Sequence, residues 1–578
     1  MPAVILVICF SIGILLERHL TISQHFLLPL LIVSLAVVVL LPIQKGNKRI
    51  KSIIVLAGLT AGGYLHAYFQ NQYRLENFIH HSFLNQKLEY NSIIDHITHS
   101  ETYTNLRIRL KEVHLKDGHV IRLNSQNALL KIKRSAQIPH LIPGTMLHHR
   151  TSFKALDLTG DPNDYIDYLH RQGIDLMGYA RASDIDIIPY HHHPLTYIRY
   201  VLRPKALAII DSHCKDHNAN PILKALLLGY KADLSSDVKE DFIDSGTMHI
   251  LAVSGLHTGI IGYLLFLVSQ LIFFWTKSNS VLRLVLISGG LVFFAEISGG
   301  APPVWRASIM LIIYLISRKT SNYSSPLNLV ACAAIILLIY DHNYLFDLSF
   351  QLSFSAVLGI LLIYPILESL YYPSSKIGKY LCGIVYMGIA AQISLLPLSF
   401  YYFNQVSLLS PLTSIVSITL ALPTVCFGCL LLLSDIVVPS LSTYISSLLE
   451  GMIFIMHQTS ALMSDVSVAI IEHIYIDRFE ALILSLGILL IVLAYHRRSF
   501  RLLHLSYALL LFQSGLHLYY KIDNSNKIAI IHNQDEVLTE IHIGTQSIVI
   551  NDQETIDFNI KKERRANRIT SFTNYTEL

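Results

Sequence analysis

Apolar runs long enough to cross a bilayer recur along this chain, and they decide its architecture. A helix needs roughly 20 apolar residues to traverse a hydrocarbon core of ~30 Å. Runs at about Pro2 to Leu16, Phe26 to Ile43 and Ile53 to Tyr68 open the sequence, and from Thr247 to Tyr520 it is almost continuously apolar. Polar breaks near Lys277 to Arg283, Arg318 to Ser325, Asp341 to Asp347, Pro373 to Lys379, Phe403 to Ser410, Ser464 to Glu480 and His496 to Arg501 divide the second stretch. About ten spans are counted in that stretch, where some runs are short or Pro-interrupted, and about 13 in the whole chain. With 52% apolar and 15% charged residues, against about 25% charged in an average soluble chain, the composition excludes an array of soluble domains. The predicted fold is a polytopic α-helical membrane protein.

Charge sets the expected orientation. Lys45, Lys48, Arg49 and Lys51 cluster in the loop Gln44 to Lys51, which the positive-inside rule assigns to the cytoplasm. Residues 70–193 then lie outside, in the periplasm of a two-membrane bacterium. The run Pro2 to Leu16 lacks a basic start and a small-x-small cleavage site, so it reads as a retained helix of the N-terminal membrane segment, residues 1–69. The later basic pairs Lys277/Arg283, Arg318/Lys319 and Lys376/Lys379, with Arg497, Arg498 and Arg501, all fall on the cytoplasmic side by parity.

The outer segment alternates like β-strands. Leu106, Ile108 and Leu110 interleave with Arg107, Arg109 and Lys111, and Leu130 and Ile132 with Lys131 and Lys133. One apolar face turned inward, with turns at Lys116-Asp117-Gly118 and Pro143-Gly144, predicts a small inserted periplasmic β-barrel of OB-like size. Its basic faces suit either a solvated strand surface or a track for a phosphate backbone. The outer histidines, His80, His81, His96, His99, His148, His149 and His191 to His193, have no fixed ligand spacing and read as solvated. Residues 194–248 are too charged to span and read as amphipathic surface helices, with Ser235 an N-cap, Asp237 an acid in the first turn and Gly246 a C-terminal stop. Cys214 is expected to be exposed to water, the other five cysteines lie in apolar runs, and Cys426/Cys429 read as buried packing.

Inside the membrane block, 249–520, polar groups recur where burial is costly: His249, Ser254 and His257, then Glu296 and Arg306, then Gln351, then Gln392. Such groups face a bundle interior or a wet pathway. Each suits interhelical hydrogen bonding as well as pore lining. Helical spacing puts Ser254, His257 and Thr258 on one face and makes Gly255 and Gly259 a small-x-x-x-small contact.

These residues sit in motifs. Ala225-Leu-Leu-Leu-Gly229-Tyr-Lys-Ala-Asp-Leu-Ser235, Phe242, Gly246 and His249-Ile-Leu-Ala-Val-Ser-Gly-Leu-His257 resemble the signature of the ComEC DNA-internalisation competence proteins. Gly300-Ala-Pro-Pro-Val-Trp-Arg306, Leu348-Ser-Phe-Gln351-Leu-Ser353 and Ala391-Gln392-Ile-Ser-Leu-Leu-Pro397 follow in the family's order, and Asp164-Tyr-Ile-Asp-Tyr-Leu-His-Arg-Gln172-Gly173 resembles the end of its outer domain. The resemblance covers Asp164 to about Pro423. Ser414 stands where many relatives carry Asn.

The resemblance implies an inner-membrane channel for single-stranded DNA in natural transformation. His249, Ser254, Gly255, His257, Gly259, Gln351, Ser353, Gln392 and Pro397 would lie along its path, Arg306 would serve as a countercharge, and Arg107, Arg109, Lys111, Lys131 and Lys133 would bind DNA in the outer domain. Its partners would be membrane lipids, a periplasmic DNA receptor, a separate nuclease, and a cytoplasmic DNA translocase or single-strand-binding protein. Many ComEC proteins continue into a metallo-β-lactamase-like domain, but the His-x-His-x-Asp-His motif that its metals need is not in this sequence. Nor is a Gly-x-x-x-x-Gly-Lys-[Ser/Thr] loop. The expectation is a truncated form that is not an enzyme and holds no cofactor. The rival readings are a secondary transporter or lipid flippase, for which no inverted repeat is evident, and a membrane enzyme using His249 and His257, which lacks a third ligand in the motifs. The tail 521–578 is expected outside the cytoplasm, with strands at Ile528 to Ile531, Ile541 to Ile543 and Ile548 to Ile550 and a solvated basic block from Lys561 to Arg568.

Overall fold

The computed structural model describes residues 2–19, 48–76, 83–99, 102–115, 119–133, 141–156, 166, 169–170, 172–188, 194–273, 280–319, 325–464, 466, 470–471, 474–525, 528–532, 539–543, 546–550 and 571–574. The run Phe26 to Ile43, the turn Lys116 to Gly118 and the basic block Lys561 to Arg568 lie outside them. The chain divides into two compact units. The first comprises residues 1–212, 228–230 and 253–351, and the second residues 213–227, 231–252 and 352–578.

The first unit opens with helices α1 (Pro2–His19) and α2 (Lys48–Glu76). Lys48 to Lys51, expected in a loop, already form the first turn of α2. The two helices meet at glycines, because a Cβ on Gly13 would stand 2.0 Å from the Thr60 carbonyl oxygen and one on Gly63 2.2 Å from that of Phe10. Small residues let helix backbones approach this closely in a bilayer.

A barrel follows, built from β1 (Leu88–His99), β2 (Tyr103–His114), β3 (Val120–Lys133), β4 (Met146–Ala155) and β5 (Ile174–Ala180), with a short β6 (Ile185–Ile188) on the free edge of β4. The strand order β1-β2-β3-β5-β4 closes through a β1–β4 pairing, and β3 and β5 run parallel. Alternation fills the interior: Leu106, Ile108, Leu110, Leu130 and Ile132 are fully buried, joined by Tyr90, Leu147, Phe153 and Leu176. Burying each aliphatic side chain contributes roughly 1.5–3 kcal/mol. Bulges near Asn91 and Asp95 in β1 bend the strand, and Gly178 leaves room where a Cβ would stand 2.7 Å from Thr151 and 2.8 Å from Phe153.

The same alternation carries His149 inward in place of the solvated position expected for it. It lies fully buried beside Tyr90 and Phe153, with Nε2 3.0 Å from Ser92 Oγ. Burial holds its pKa down to about 3.

Beyond the barrel come α3 (Pro194–Tyr197), a π-helical turn over Ile198–Leu202 and α4 (Arg203–His213). The next helices are α5 (Ala219–Leu228), α6 (Ser236–Asp244) and α7 (Met248–Leu251). Ser235 caps α6 by accepting from the Val238 N–H, and Gly246 takes φ +73° past its end. α5 is buried from Ile222 to Leu228, and Leu227 packs into the space left at Gly428. Cys214, expected in water, is buried.

Ten longer helices follow: α8 (Gly255–Ile272), α9 (Ser280–Ile297), α10 (Pro302–Lys319), α11 (Pro326–Tyr340), α12 (Leu348–Leu370), α13 (Lys376–Tyr402), α14 (Ser410–Val437), α15 (Pro439–Ser464), α16 (Arg478–Arg497) and α17 (Phe500–Ser525). Among the described residues five helices, α8, α12, α13, α14 and α16, are long and apolar enough to cross a membrane by length and composition. Strands β7 (Val406–Ser407) and β8 (Ile470–Ile471) pair between long helices. The tail forms a sheet of β9 (Ile528–His532), β10 (Thr539–Ile543), β11 (Gln546–Ile550) and β12 (Ser571–Asn574), which takes in the three strands expected there.

Candidate functional site

In the first unit the candidate residues gather around the N-terminal ends of α8, α10 and α12. Ser254 is not on the face of α8 but is its N-cap: its Oγ accepts from the Leu256 N–H at 3.3 Å, and its carbonyl accepts from Thr258 Oγ1 at 3.1 Å. His257 closes the box from inside, its Nδ1 accepting from the Ser254 N–H at 3.2 Å, the role usually taken by Glu or Gln. His257 is fully buried. Gly255 faces Ala307 of α10, with 3.8 Å from an added Cβ, whereas Gly259 has open space within 4 Å; the close approach continues at Gly262, where a Cβ would meet Leu311 at 2.5 Å. The small-residue contact therefore repeats after seven residues, two full turns, rather than four.

Arg306 is 3% exposed and sits one turn into α10. Its Nη2 donates to the carbonyl oxygen of Ser349 at 2.8 Å and to Ser349 Oγ at 2.9 Å, while its buried Nε has no hydrogen-bond partner among the described residues. Among the described residues only neutral oxygens hydrogen-bond it, and a buried cation so placed is costly to keep.

Ser349 stands in the first turn of α12, whose N-terminal Asp347 accepts from the Phe350 N–H at 2.8 Å. The other oxygen of Asp347 accepts from Gln172 Nε2 at 3.3 Å, and Arg107 of the barrel donates to the Gln172 carbonyl at 2.9 Å. A hydrogen-bonded chain thus runs from Arg107 through Gln172 and Asp347 to the helix end that holds Arg306. Gln351 lies on the same turn and donates to the Leu345 carbonyl at 3.0 Å.

The remaining barrel cations differ in their engagement. Arg109 forms a two-pronged pair with Asp95, Nη2 to Oδ1 at 2.7 Å and Nε to Oδ2 at 3.2 Å. Lys111 sits beside it, its ammonium pKa lowered first by burial and then by Arg109. Lys131 lies 5.9 Å from the centre of the Tyr179 ring, and Lys133 is exposed at the end of β3. Arg107 and Arg109 thus hold the barrel and its neighbours together, whereas Lys131 and Lys133 mark its outward-facing cationic edge.

The second unit holds the other positions. His249 is exposed and donates from Nδ1 to the Gly246 carbonyl at 3.0 Å; Ser410 Oγ donates to the same oxygen at 3.0 Å. Gln392 donates from Nε2 to the Ser407 carbonyl of β7. Ser353 is half-buried on α12, and Ser394 ties α13 to it through the Ser355 carbonyl at 2.7 Å. Pro397 is buried inside α13, where it withholds one N–H from the helix ladder.

Sequence reading missed two arginines. Arg199 clasps the buried Glu296 with both prongs, Nε to Oε2 at 3.0 Å and Nη2 to Oε1 at 3.0 Å. Arg203 donates Nε and Nη2 to the Leu228 carbonyl at 3.1 and 2.8 Å. The glycines of two motifs make room for these contacts: a Cβ on Gly300 (φ +70°) would stand 2.0 Å from Arg199, one on Gly299 (φ +87°) 2.8 Å from Arg203, and one on Gly229 (φ +65°) 2.9 Å from the Ser298 carbonyl. An unpartnered Glu296 in an apolar run was the available signal, since such an acid needs a cation.

Residues 226–499, which contain every candidate position of the helical block, match the family described as Competence protein. ComE operon protein 3 of Bacillus subtilis is 25% identical over 43% of this chain and 30% of its own length. Recombination protein 2 of Haemophilus influenzae is 26% identical over 36% of this chain and 27% of its own, and an uncharacterized protein of Aquifex aeolicus 34% identical over 26% and 34%. The chain thus spans about a third of the length of the curated relatives it matches. No solved structure matches it. From the motifs, their order and these matches, residues 226–499 form a Competence protein domain, similar to that of ComE operon protein 3 and Recombination protein 2.

Proposed function

We propose that this chain is an inner-membrane channel that carries single-stranded DNA into the cytoplasm during natural transformation. The barrel, with the strand number of an OB fold, receives the strand in the periplasm along its Lys131 and Lys133 edge. The helical block then conducts it past Arg306, Gln351 and Gln392. A polyanion crossing a bilayer needs countercharge and water, because even one charge at the centre costs about 3 kcal/mol or more.

The observation that carries this reading is Arg306: a buried guanidinium at a helix end, hydrogen-bonded among the described residues only to Ser349, with a buried Nε that has no hydrogen-bond partner among them. In this reading a strand leaving the barrel first meets the helices near Arg306, at the end of the hydrogen-bonded chain Arg107–Gln172–Asp347. The names of the relatives, a ComE operon protein and a recombination protein, favour DNA uptake over transport of a small or lipid substrate. In this reading the chain performs no hydrolysis. Strand degradation, delivery and capture fall to a separate nuclease, a periplasmic DNA receptor and a cytoplasmic translocase or single-strand-binding protein.

The test is photo-crosslinking during uptake, with benzoylphenylalanine at position 305 or 392 and, as an outer control, at position 131. Labelled DNA should be captured at all three. Capture at 131 alone would leave a DNA-binding membrane protein and no conducting route.

A further inference from the structure

The turn between α12 and α13 and the turn between α16 and α17 lie side by side in the second unit. Tyr495 hydroxyl and Ser369 Oγ are 2.8 Å apart, His496 Nε2 donates to the Leu362 carbonyl at 3.0 Å, and Ile363 packs with Val492. At this end the first turn exposes Tyr371 (63%) and Tyr372 (61%) with Lys376 and Lys379. The second exposes Arg497, Arg498 and Arg501. From Tyr364 to Tyr380 and from Tyr495 to His504 the sequence holds a single acid, Glu368. The surface is therefore strongly cationic. It is also shaped: the Tyr386 hydroxyl donates to the Tyr371 carbonyl at 2.8 Å, Lys379 Nζ stands 4.4 Å over the Tyr372 ring, and Arg498, at φ +48°, closes α16 so that α17 starts at once.

We propose that these two turns form a second nucleic-acid surface, a stacking and phosphate-binding platform that takes the single strand as it leaves the helical block. The inference rests on the proposed channel function, in which both turns face the cytoplasm. Cations alone would suit a phosphate of any source. Two adjacent, outward rings beside them supply the stacking face that single strands use, each base on an aromatic contributing to affinity independently of sequence. A strand held here is slowed from sliding back until the cytoplasmic partner captures it.

The experiment uses the full-length protein in detergent, a bromodeoxyuridine-substituted oligodeoxythymidylate for photo-crosslinking, and vesicles of phosphatidylglycerol as the lipid arm. Crosslinks should map to Tyr371 or Tyr372. The pair Tyr371→Ala and Tyr372→Ala should abolish them and weaken oligonucleotide binding by about tenfold or more, while crosslinks in the barrel persist. Lys376→Gln with Lys379→Gln should lower the salt dependence of binding by about one to two phosphate contacts. Vesicle binding lost in the lysine variant, with oligonucleotide crosslinks absent from both tyrosines, would assign the surface to lipid headgroups and overturn the proposal. If cells need the chain for uptake yet the tyrosine pair alters neither crosslinks nor uptake, the platform fails and the channel stands. If cells do not need the chain, the channel reading fails first.

Discussion

Gly300→Ala is expected to unseat a buried ion pair that it does not belong to. The side chain of Glu296 is 7% exposed and that of Arg199 24%, and they meet through two hydrogen bonds of 3.0 Å. Removing one partner of such a pair strands the other charge in a low-dielectric site and costs about 3–5 kcal/mol. A methyl group on Gly300 would stand 2.0 Å from Arg199 Nη2 and 2.4 Å from Cζ. A flexible arginine end would ordinarily swing aside, but here it leaves Glu296 when it does. Left-handed backbone at φ +70° adds about 1–2 kcal/mol for any residue with a Cβ. Gly300→Ala should therefore destabilise by about as much as Arg199→Ala or slightly more, and the double variant by clearly less than the sum. Arg199→Met with Glu296→Gln, which removes both charges, should recover most of the loss. Thermal unfolding of the detergent-solubilised protein, followed by tryptophan fluorescence, measures all four variants. Additive losses in the Gly300/Arg199 double, or no recovery in the charge-free pair, would refute the reasoning.

Other predictions follow from single groups. Arg306→Ala should abolish or strongly reduce DNA uptake at normal membrane levels, and Arg306→Lys should not restore it, because Lys lacks the planar fork that can bond Ser349 and phosphate together; uptake of labelled DNA with a membrane immunoblot reads both. His149 is held near pKa 3 by burial, below its ordinary 6.5. The unfolded chain thus binds the proton more readily, and the neutral ring's contribution, complete above about pH 6.5, is lost as pH falls toward 3, by up to about 5 kcal/mol. Hydrogen exchange of β1 and β4 peptides, corrected for intrinsic rates, should show this acid loosening in the native protein and much less of it in His149→Phe. A phosphatase fused after Leu578 should be active and a green fluorescent fusion dark if the tail lies outside the cytoplasm; the reverse pattern would place it inside.

Legibility followed the strength of local pattern. Period-two alternation from Asn105 to Lys111 located β2 and its inward face, because a barrel strand buries every second residue whatever its partners. The break between α14 and α15 is faint in the sequence, since Val438 lies in apolar sequence and only Asp435 and Pro439 mark it. Ser254 looked like a helix-face residue and is a cap: the motif's spacing fits both, and the choice depends on where the first helical turn starts. Gln172 stood in a recognised motif without a role, because its partners Arg107 and Asp347 are 65 and 175 residues away. Arg199 was hidden for the same reason, paired with Glu296 across 97 residues. Contacts of that span are set by tertiary packing, which local periodicity does not encode.

The most direct test of the conducting route is where labelled DNA stops in cells lacking this protein. After uptake from the medium, periplasmic contents are released by osmotic shock and the remaining spheroplasts counted. The account predicts single- or double-stranded label in the shock fluid, none in spheroplasts, and recovery of spheroplast label with the restored wild-type chain but not with Arg306→Ala. Undiminished label inside spheroplasts without the protein would contradict it.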